Sequence, residues 1–255
     1  AAALCGRRQS PRSDTRVIHA LLAQRLSRGV GIHRRPAVDQ VPAQARPPLN
    51  AALTLLAAYL LGATPTSYVA GRLGRGIDLR EHASRNLGAT NVYRILGWRY
   101  AIPVALFDIA KGVVPVLLAS STPYRWLPLA AGGAAVLGHM FSPYVSFKGG
   151  KGVATAAGMF LALAPLAVLI AIPIWGLCLW LTGYVSLSSI IAVLSVPLTV
   201  TLLQPHSPYE FWASVGLVVL IVFAHRRNVS RLLAGTENRF RTRAGGGGPS
   251  DRAAV

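Results

Sequence analysis

At 255 residues the chain is 53% hydrophobic yet only 13% charged. The surface of a soluble protein needs about a quarter charged residues, so the composition argues against a soluble globular domain. Its 26 Lys and Arg outnumber 8 Asp and Glu for a formal charge of +18, which calls for anionic partners: lipid headgroups, phosphorylated substrates or nucleic acid. The two cysteines, Cys5 and Cys178, allow neither a disulfide framework nor a zinc site.

Residues 1–50 stand apart. Arginines from Arg7 to Arg46 face only Asp14 and Asp39, and prolines gather toward Pro47 and Pro48. This composition predicts a basic leader, disordered or only locally helical; a mis-set start or an appended segment is an equally good account, and no apolar core of a secretory signal is visible. From Ala51 the chain becomes a series of apolar stretches, at 51–71, 99–120, 126–146, 153–181, 185–203 and 211–224. A membrane span needs about 20 apolar residues, so the stretch at 153–181 is too long for one helix and too short for two full ones. Pro165 is the natural place to divide it.

Orientation follows from the basic residues. Arg72, Arg75, Arg80, Arg85, Arg94 and Arg99 share one connection, Lys148 and Lys151 another, and arginines from Arg226 to Arg243 follow the last stretch, whereas the connections at 120–125 and 204–210 are poor in charge. With the long stretch divided, about seven crossings place every basic connection in the cytoplasm. The predicted fold is an all-α polytopic integral membrane protein: a leader at 1–50, a membrane domain at 51–240 with some short or tilted helices, and a flexible glycine-rich tail at 241–255. The same count puts the leader outside, against the rule, unless the first stretch does not span in the usual way.

Three connections on one side carry more polar chemistry than a loop requires. The first, residues 76–94, sets Ser84, Asn86 and Arg94 among small residues and exposed backbone, a combination that offers neutral donors and a cation to a phosphate. The second is Phe147-Lys-Gly-Gly-Lys-Gly-Val-Ala-Thr155, leading into an apolar helix. Its Gly149, Gly150 and Gly152 let backbone approach an anion, the helix amino terminus adds partial positive charge, and Lys148 and Lys151 add full charges. It lacks the spacing of a nucleotide-hydrolysing phosphate loop. The third begins at His225, which shares a helix face with Asn228. Taken singly, each is also what an ordinary loop or basic interfacial anchor presents. Asp108 and Lys111 lie within an apolar stretch at i and i+3, a position costly enough to suggest a site, but the spacing favours a structural ion pair. His139 carries the same ambiguity.

Together these segments resemble the acyl-phosphate:glycerol-3-phosphate acyltransferase family of bacterial membranes. The resemblance rests on Ser84-Arg-Asn-Leu-Gly-Ala-Thr-Asn91 with Arg94, Phe107-Asp-Ile-Ala-Lys-Gly112, Gly138-His-Met, the glycine segment at 147–155, Tyr184-Val-Ser-Leu-Ser-Ser189 and His225-Arg-Arg-Asn-Val-Ser-Arg-Leu-Leu, in order. It covers roughly residues 55–240 and excludes the leader. It implies a seven-helix protein of the bacterial cytoplasmic membrane, with a site facing the cytoplasm. The implied reaction moves a fatty acyl group from acyl phosphate to the sn-1 hydroxyl of glycerol 3-phosphate, giving lysophosphatidic acid for phospholipid synthesis, without cofactor or metal. The resemblance further implies that Lys151 with Gly149, Gly150 and Gly152 holds a substrate phosphate. Ser84, Asn86, Arg94, Ser186, His225 and Asn228 would complete the phosphate sites and orient the hydroxyl. Two departures stand out: Arg85 where the family has glycine, and Ser142 ahead of Pro143 where the family has proline.

An acyl phosphate carries its own leaving group, and no activated nucleophile or Gly-x-Ser-x-Gly elbow is present. The expected mechanism is therefore substrate-assisted, the donor's phosphate accepting the hydroxyl proton, with His225 as general base the alternative. A competing class is a membrane transporter for a small phosphorylated anion. A nucleic-acid binder is weaker, because the basic residues are scattered among loops without interleaved aromatics.

Overall fold

The computed structural model describes residues 48–203 and 208–240. The leader up to residue 47 and the tail at 241–255 lie outside the described residues. Every regular element described is helical: α1 (Pro48–Ala63), α2 (Thr66–Arg75), α3 (Ala89–Leu96), α4 (Trp98–Ser120), α5 (Leu127–Met140), a 3-10 turn at Pro143–Val145, α6 (Val153–Leu163), α7 (Pro165–Thr182), α8 (Val185–Leu203), α9 (Pro208–Ala224) and α10 (Arg226–Leu233).

Several boundaries follow from proline. Pro48, read from sequence as part of the leader, opens α1, since the missing amide of proline costs nothing at the first helical position. Pro165 opens α7 directly after the carbonyl end of α6 at Leu163–Ala164, so the long apolar stretch divides where the sequence suggests. Pro65 breaks the first apolar run into α1 and α2. Helix α3 lies inside a connection read from sequence as loop; it is too short and polar on one face to register as an apolar stretch.

By length and composition four helices can cross a membrane: the run Asn50–Arg75, α4, α7 and α8. The pair α9–α10, bent by 58°, makes a fifth. Helices α5 and α6, at 14 and 11 residues, reach about 21 and 17 Å of a ~30 Å hydrocarbon core. The surface is apolar where a soluble protein would be polar: Leu106, Leu118, Trp180 and Leu198 are 62–80% exposed, as lipid-facing positions must be.

Between helices the opposite holds, and small residues let backbones meet. A Cβ on Gly138 would fall 2.1 Å from the Tyr59 carbonyl of α1, and one on Gly158 of α6 would fall 2.0 Å from the Ile109 carbonyl of α4, the close approach that drives helix association where solvent supplies no hydrophobic force. The interior also holds the intramembrane pair. Lys111 Nζ lies 2.8 Å from Asp108 Oδ1 and donates to the Thr64 carbonyl at 3.1 Å, while the Thr66 hydroxyl donates to Asp108 at 2.7 Å. The pair thus closes the backbone break at Pro65 and ties it to α4. Ser142 also binds this region, its buried hydroxyl donating to the Ala63 carbonyl at 2.5 Å.

Candidate active site

At the end of the bundle where the three polar connections meet, a cavity of about 450 Å³ opens. Its mouth is polar and its depth mostly apolar. Ser84, Asn86, Arg94, Lys151, Gly152, Ser186, His225 and Asn228 all line it, as does Asp108 deeper in. Gly149, Gly150 and Lys111 do not.

The glycine segment explains this division. Gly149 N–H donates to the Met140 carbonyl and Gly150 N–H to that of His139, both at 3.1 Å. A Cβ on Gly149 would stand 2.0 Å from the His139 carbonyl, and one on Gly150 2.1 Å from the His139 ring. These two glycines seat the loop on the end of α5, and their amides are committed there. Gly152 differs: it takes a left-handed φ of 80° as the cap of α6. Beside it Lys151, Val153 and Ala154 line the cavity, so the unpaired first-turn amides of α6 and their partial positive charge sit at its wall.

The charged groups form one chain of hydrogen bonds. Lys151 Nζ donates to Asn228 Oδ1 at 2.6 Å, and Asn228 Nδ2 donates to Glu237 Oε1 at 2.6 Å. The Ser186 hydroxyl donates to the same carboxylate oxygen at 2.8 Å, while Arg231 Nε reaches Glu237 Oε2 at 2.7 Å. Burial alone would push the Glu237 carboxyl up, but the hydrogen bonds from Asn228, Ser186 and Arg231 outweigh it and hold the group below its ordinary value. Burial lowers the Lys151 ammonium to about 8, with Glu237 partly offsetting and Arg231 and Arg94 adding to the fall. Arg94 is likewise lowered by burial, yet a guanidinium stays charged; it donates to the Asn238 carbonyl at 3.3 Å.

His225 occupies the turn between α9 and α10, 2% exposed. Its Nδ1 lies 2.8 Å from the Ile221 carbonyl. A carbonyl only accepts, so Nδ1 carries the proton and Nε2 is left as an acceptor.

The first connection is shaped by Asn91, which is 1% exposed. Its side chain accepts from Ser84 N–H at 3.0 Å and donates to the Leu79 and His82 carbonyls at 3.0 and 3.3 Å. Arg85 takes a left-handed φ of 56°, so the position where the resembled family has glycine does ask for a glycine-like backbone, and Arg85 adopts it at a cost in strain.

Sequence reasoning missed Glu237 and Arg231. Glu237 is one of only 8 acidic residues and follows a basic run, a signal that an acid in an otherwise cationic segment has a fixed partner.

The glycerol-3-phosphate acyltransferase family profile matches residues 52–235. Among curated relatives, glycerol-3-phosphate acyltransferase of Trichlorobacter lovleyi is 47% identical over 186 residues, covering 72% of this chain and 94% of the relative. That of Chlorobaculum parvum is 40% identical over 225 residues, covering 74% and 97%. The fold is similar to the crystal structure of PlsY, an integral membrane glycerol 3-phosphate acyltransferase, in its glycerol 3-phosphate form, with a TM-score of 0.70, 41% identity and coverage of 76% of this chain and 96% of that one. The lysophosphatidic acid form of PlsY aligns with a TM-score of 0.68 and 40% identity. This chain belongs to the glycerol-3-phosphate acyltransferase family.

Proposed function

We propose that the protein transfers a fatty acyl group from acyl phosphate to the sn-1 hydroxyl of glycerol 3-phosphate, releasing lysophosphatidic acid and phosphate at the cytoplasmic face of the bacterial inner membrane. One observation carries the reading: a single cavity joins a cationic, donor-rich mouth to an apolar interior, which matches a reaction whose reactants carry phosphate at one end and hydrocarbon at the other. The orientation is supported by Arg94, Lys151, Arg226, Arg227 and Arg231 collecting at the mouth end. The transporter alternative fits less well, because Phe160, Val168, Val196 and Leu217, which line the apolar part of the cavity, belong to the packed core.

Chemically, the sn-1 hydroxyl oxygen attacks the acyl carbonyl carbon, forming a tetrahedral oxyanion. Its collapse breaks the bond from that carbon to the phosphate oxygen, and the phosphate leaves carrying the hydroxyl proton. Lys151, the first-turn amides of α6 beyond Gly152, and Arg94 neutralise the charge on phosphate and oxyanion. Ser84, Asn86, Ser186 and Asn228 position the acceptor. The phosphate accepts the proton because it is the group that leaves the reacting carbon; His225 holds its place through Ile221 and presents Nε2 as a hydrogen-bond acceptor.

The test is acyl transfer to labelled glycerol 3-phosphate by the purified, detergent-solubilised protein, from palmitoyl phosphate or from palmitoyl-CoA, with Lys151→Ala in parallel. Product from the phosphate donor only, lost in the variant, is the expected result. No product from either donor in folded protein overturns the proposal. A His225→Gln variant that lost as much turnover as Lys151→Ala would return the proton to histidine.

A further inference from the structure

The buried pair of Asp108 and Lys111 meets the cavity at one end only. Asp108 lines it and Lys111 does not; the ammonium is spent on Asp108 Oδ1 at 2.8 Å and on the Thr64 carbonyl at 3.1 Å. The Thr66 hydroxyl donates to the same carboxylate oxygen at 2.7 Å, and His139 Nδ1 stops 3.7 Å from it, beyond hydrogen-bond reach. These contacts all fall on Oδ1 and leave Oδ2 without a donor. Nor is Oδ2 sealed inside the protein: among the described residues, the side-chain polar atoms both sealed and unpartnered are those of Ser67, Thr155 and Glu210. Asp108 as a whole is 1% exposed, so the opening that Oδ2 has is the cavity that Asp108 lines. A pair that served only to join helices would need no such opening.

This oxygen stands behind the glycine segment. The His139 imidazole spans the interval, with Nδ1 toward Asp108 and Nε2 where a Cβ on Gly150 would come within 2.1 Å of it, and the residue after Gly150 is Lys151. A carboxylate oxygen in such a place repels a phosphate and calls for a neutral O–H donor, since an ionised carboxylate only accepts. Glycerol 3-phosphate carries two hydroxyls. The one on C1 has to lie against the acyl carbon and give its proton to the departing phosphate. The one on C2 takes no part in the reaction, and it needs an acceptor once it is withdrawn from water.

We infer that Asp108 accepts the C2 hydroxyl of glycerol 3-phosphate through Oδ2, and so selects an alcohol over a ketone or a methylene at the middle carbon of the acceptor. The inference rests on the acyl-transfer reading above. Thr66 and Lys111 are then positioning residues: by holding Oδ1 they fix the carboxylate plane and aim Oδ2 at the cavity. Two analogues keep the phosphate and a terminal hydroxyl but change the middle carbon. Dihydroxyacetone phosphate presents a carbonyl there, which only accepts, and sets two lone-pair oxygens against each other. 3-Hydroxypropyl phosphate presents hydrogen and leaves Oδ2 unpaired, and a site built to bond a hydroxyl rejects the analogue that lacks it.

The experiment measures kcat/KM for the three acceptors, with palmitoyl phosphate as donor, in the parent protein, in Asp108→Asn and in the double variant Asp108→Leu with Lys111→Leu. The double variant leaves no unpaired buried charge, and it keeps the test open if the single variant folds poorly. The parent should prefer glycerol 3-phosphate about 10–100-fold over each analogue, the worth of a hydrogen bond to a charged group. In Asp108→Asn, Thr66 and Lys111 still require the amide oxygen as acceptor, which turns Nδ2 to the cavity; the preference over dihydroxyacetone phosphate should fall about tenfold or more. In the double variant the preference over both analogues should fall toward parity. These ratios do not depend on how much of each variant is folded. A parent that uses the three acceptors equally overturns the inference. So do variants that keep the parent's ratios, including by an equal loss of all three acceptors, which would put Asp108 on the reacting hydroxyl or leave it a structural group alone. Failure of the parent to acylate glycerol 3-phosphate from palmitoyl phosphate would instead bring down the acyl-transfer reading itself.

Discussion

Between α4 and α6, the backbone of Gly158 rests against the Ile109 carbonyl with no room for a Cβ. At the mouth of the cavity, Lys151, Ser186, Asn228 and Glu237 reach one another only through side-chain hydrogen bonds of 2.6–2.8 Å. In the interior, helices are joined along their length by small residues and one ion pair, and a polar group there either pairs or costs several kcal/mol. At the mouth, four short segments are joined by long side chains at the membrane–water boundary, where a charge can exist unpaired and is free to meet a substrate. The comparison teaches that the interior is held by backbone contact and a buried pair, whereas the mouth is held by side chains that the proposed reaction can recruit.

The largest effect expected at the mouth is that of Lys151→Ala, which on the proposed mechanism removes a cation that neutralises the charge on the transferred phosphate. A fall in kcat/KM of about 10²–10³ is expected, with a thermal unfolding midpoint in detergent close to that of the parent. A large drop in midpoint would break the division of labour just described. In the interior, Asp108→Asn leaves Lys111 as an uncompensated buried charge and should lower stability by about 3 kcal/mol. Replacing both by leucine should recover most of it, as followed by unfolding in mixed micelles.

A titration sharpens the view of the mouth. Lys151 is lowered to about 8, so its ammonium is present below that value and lost above it. The free enzyme's kcat/KM should fall about tenfold per unit as pH rises beyond 8, and Lys151→Arg, whatever its starting rate, should lack this fall because guanidinium keeps its charge. The smallest effect concerns Arg85 at φ 56°. Arg85→Gly removes a left-handed penalty of ~1–2 kcal/mol but adds ~0.5–1 kcal/mol of chain entropy, leaving a net gain of about 0.5–1 kcal/mol, readable as a midpoint raised by a degree or two.

Much of the frame was legible in the residue order. The apolar runs correspond to α1–α2 and α4 to α9, the division of the long run falls at Pro165, and the i, i+3 spacing of Asp108 and Lys111 yields the ion pair that it suggests. The number of crossings was less legible, since α5 and α6 are shorter than their apolar runs; run length counts the turns and caps at a helix end as well as the helix. Of the site, the three connections named from sequence do converge. The share of each residue within them was not readable, because Gly149, Gly150 and Gly152 have the same chemistry and differ only in which neighbour each one meets.

What the sequence by itself determined is the class of environment and the inventory of groups: apolar runs too long and too uncharged for water, cations on one side, glycines and hydroxyls beside them. Local composition controls those properties, because transfer of a segment into a bilayer depends on the segment alone. Only the tertiary structure decided that Gly152 and the start of α6 face the cavity while Gly149 and Gly150 are committed to α5, and that Glu237 gathers Asn228, Ser186 and Arg231. These depend on contacts across helix ends and loops, from Arg231 with Glu237 six residues apart to Ser186 with Glu237 51 apart, and a hydrogen bond between two elements exists only once both have been placed.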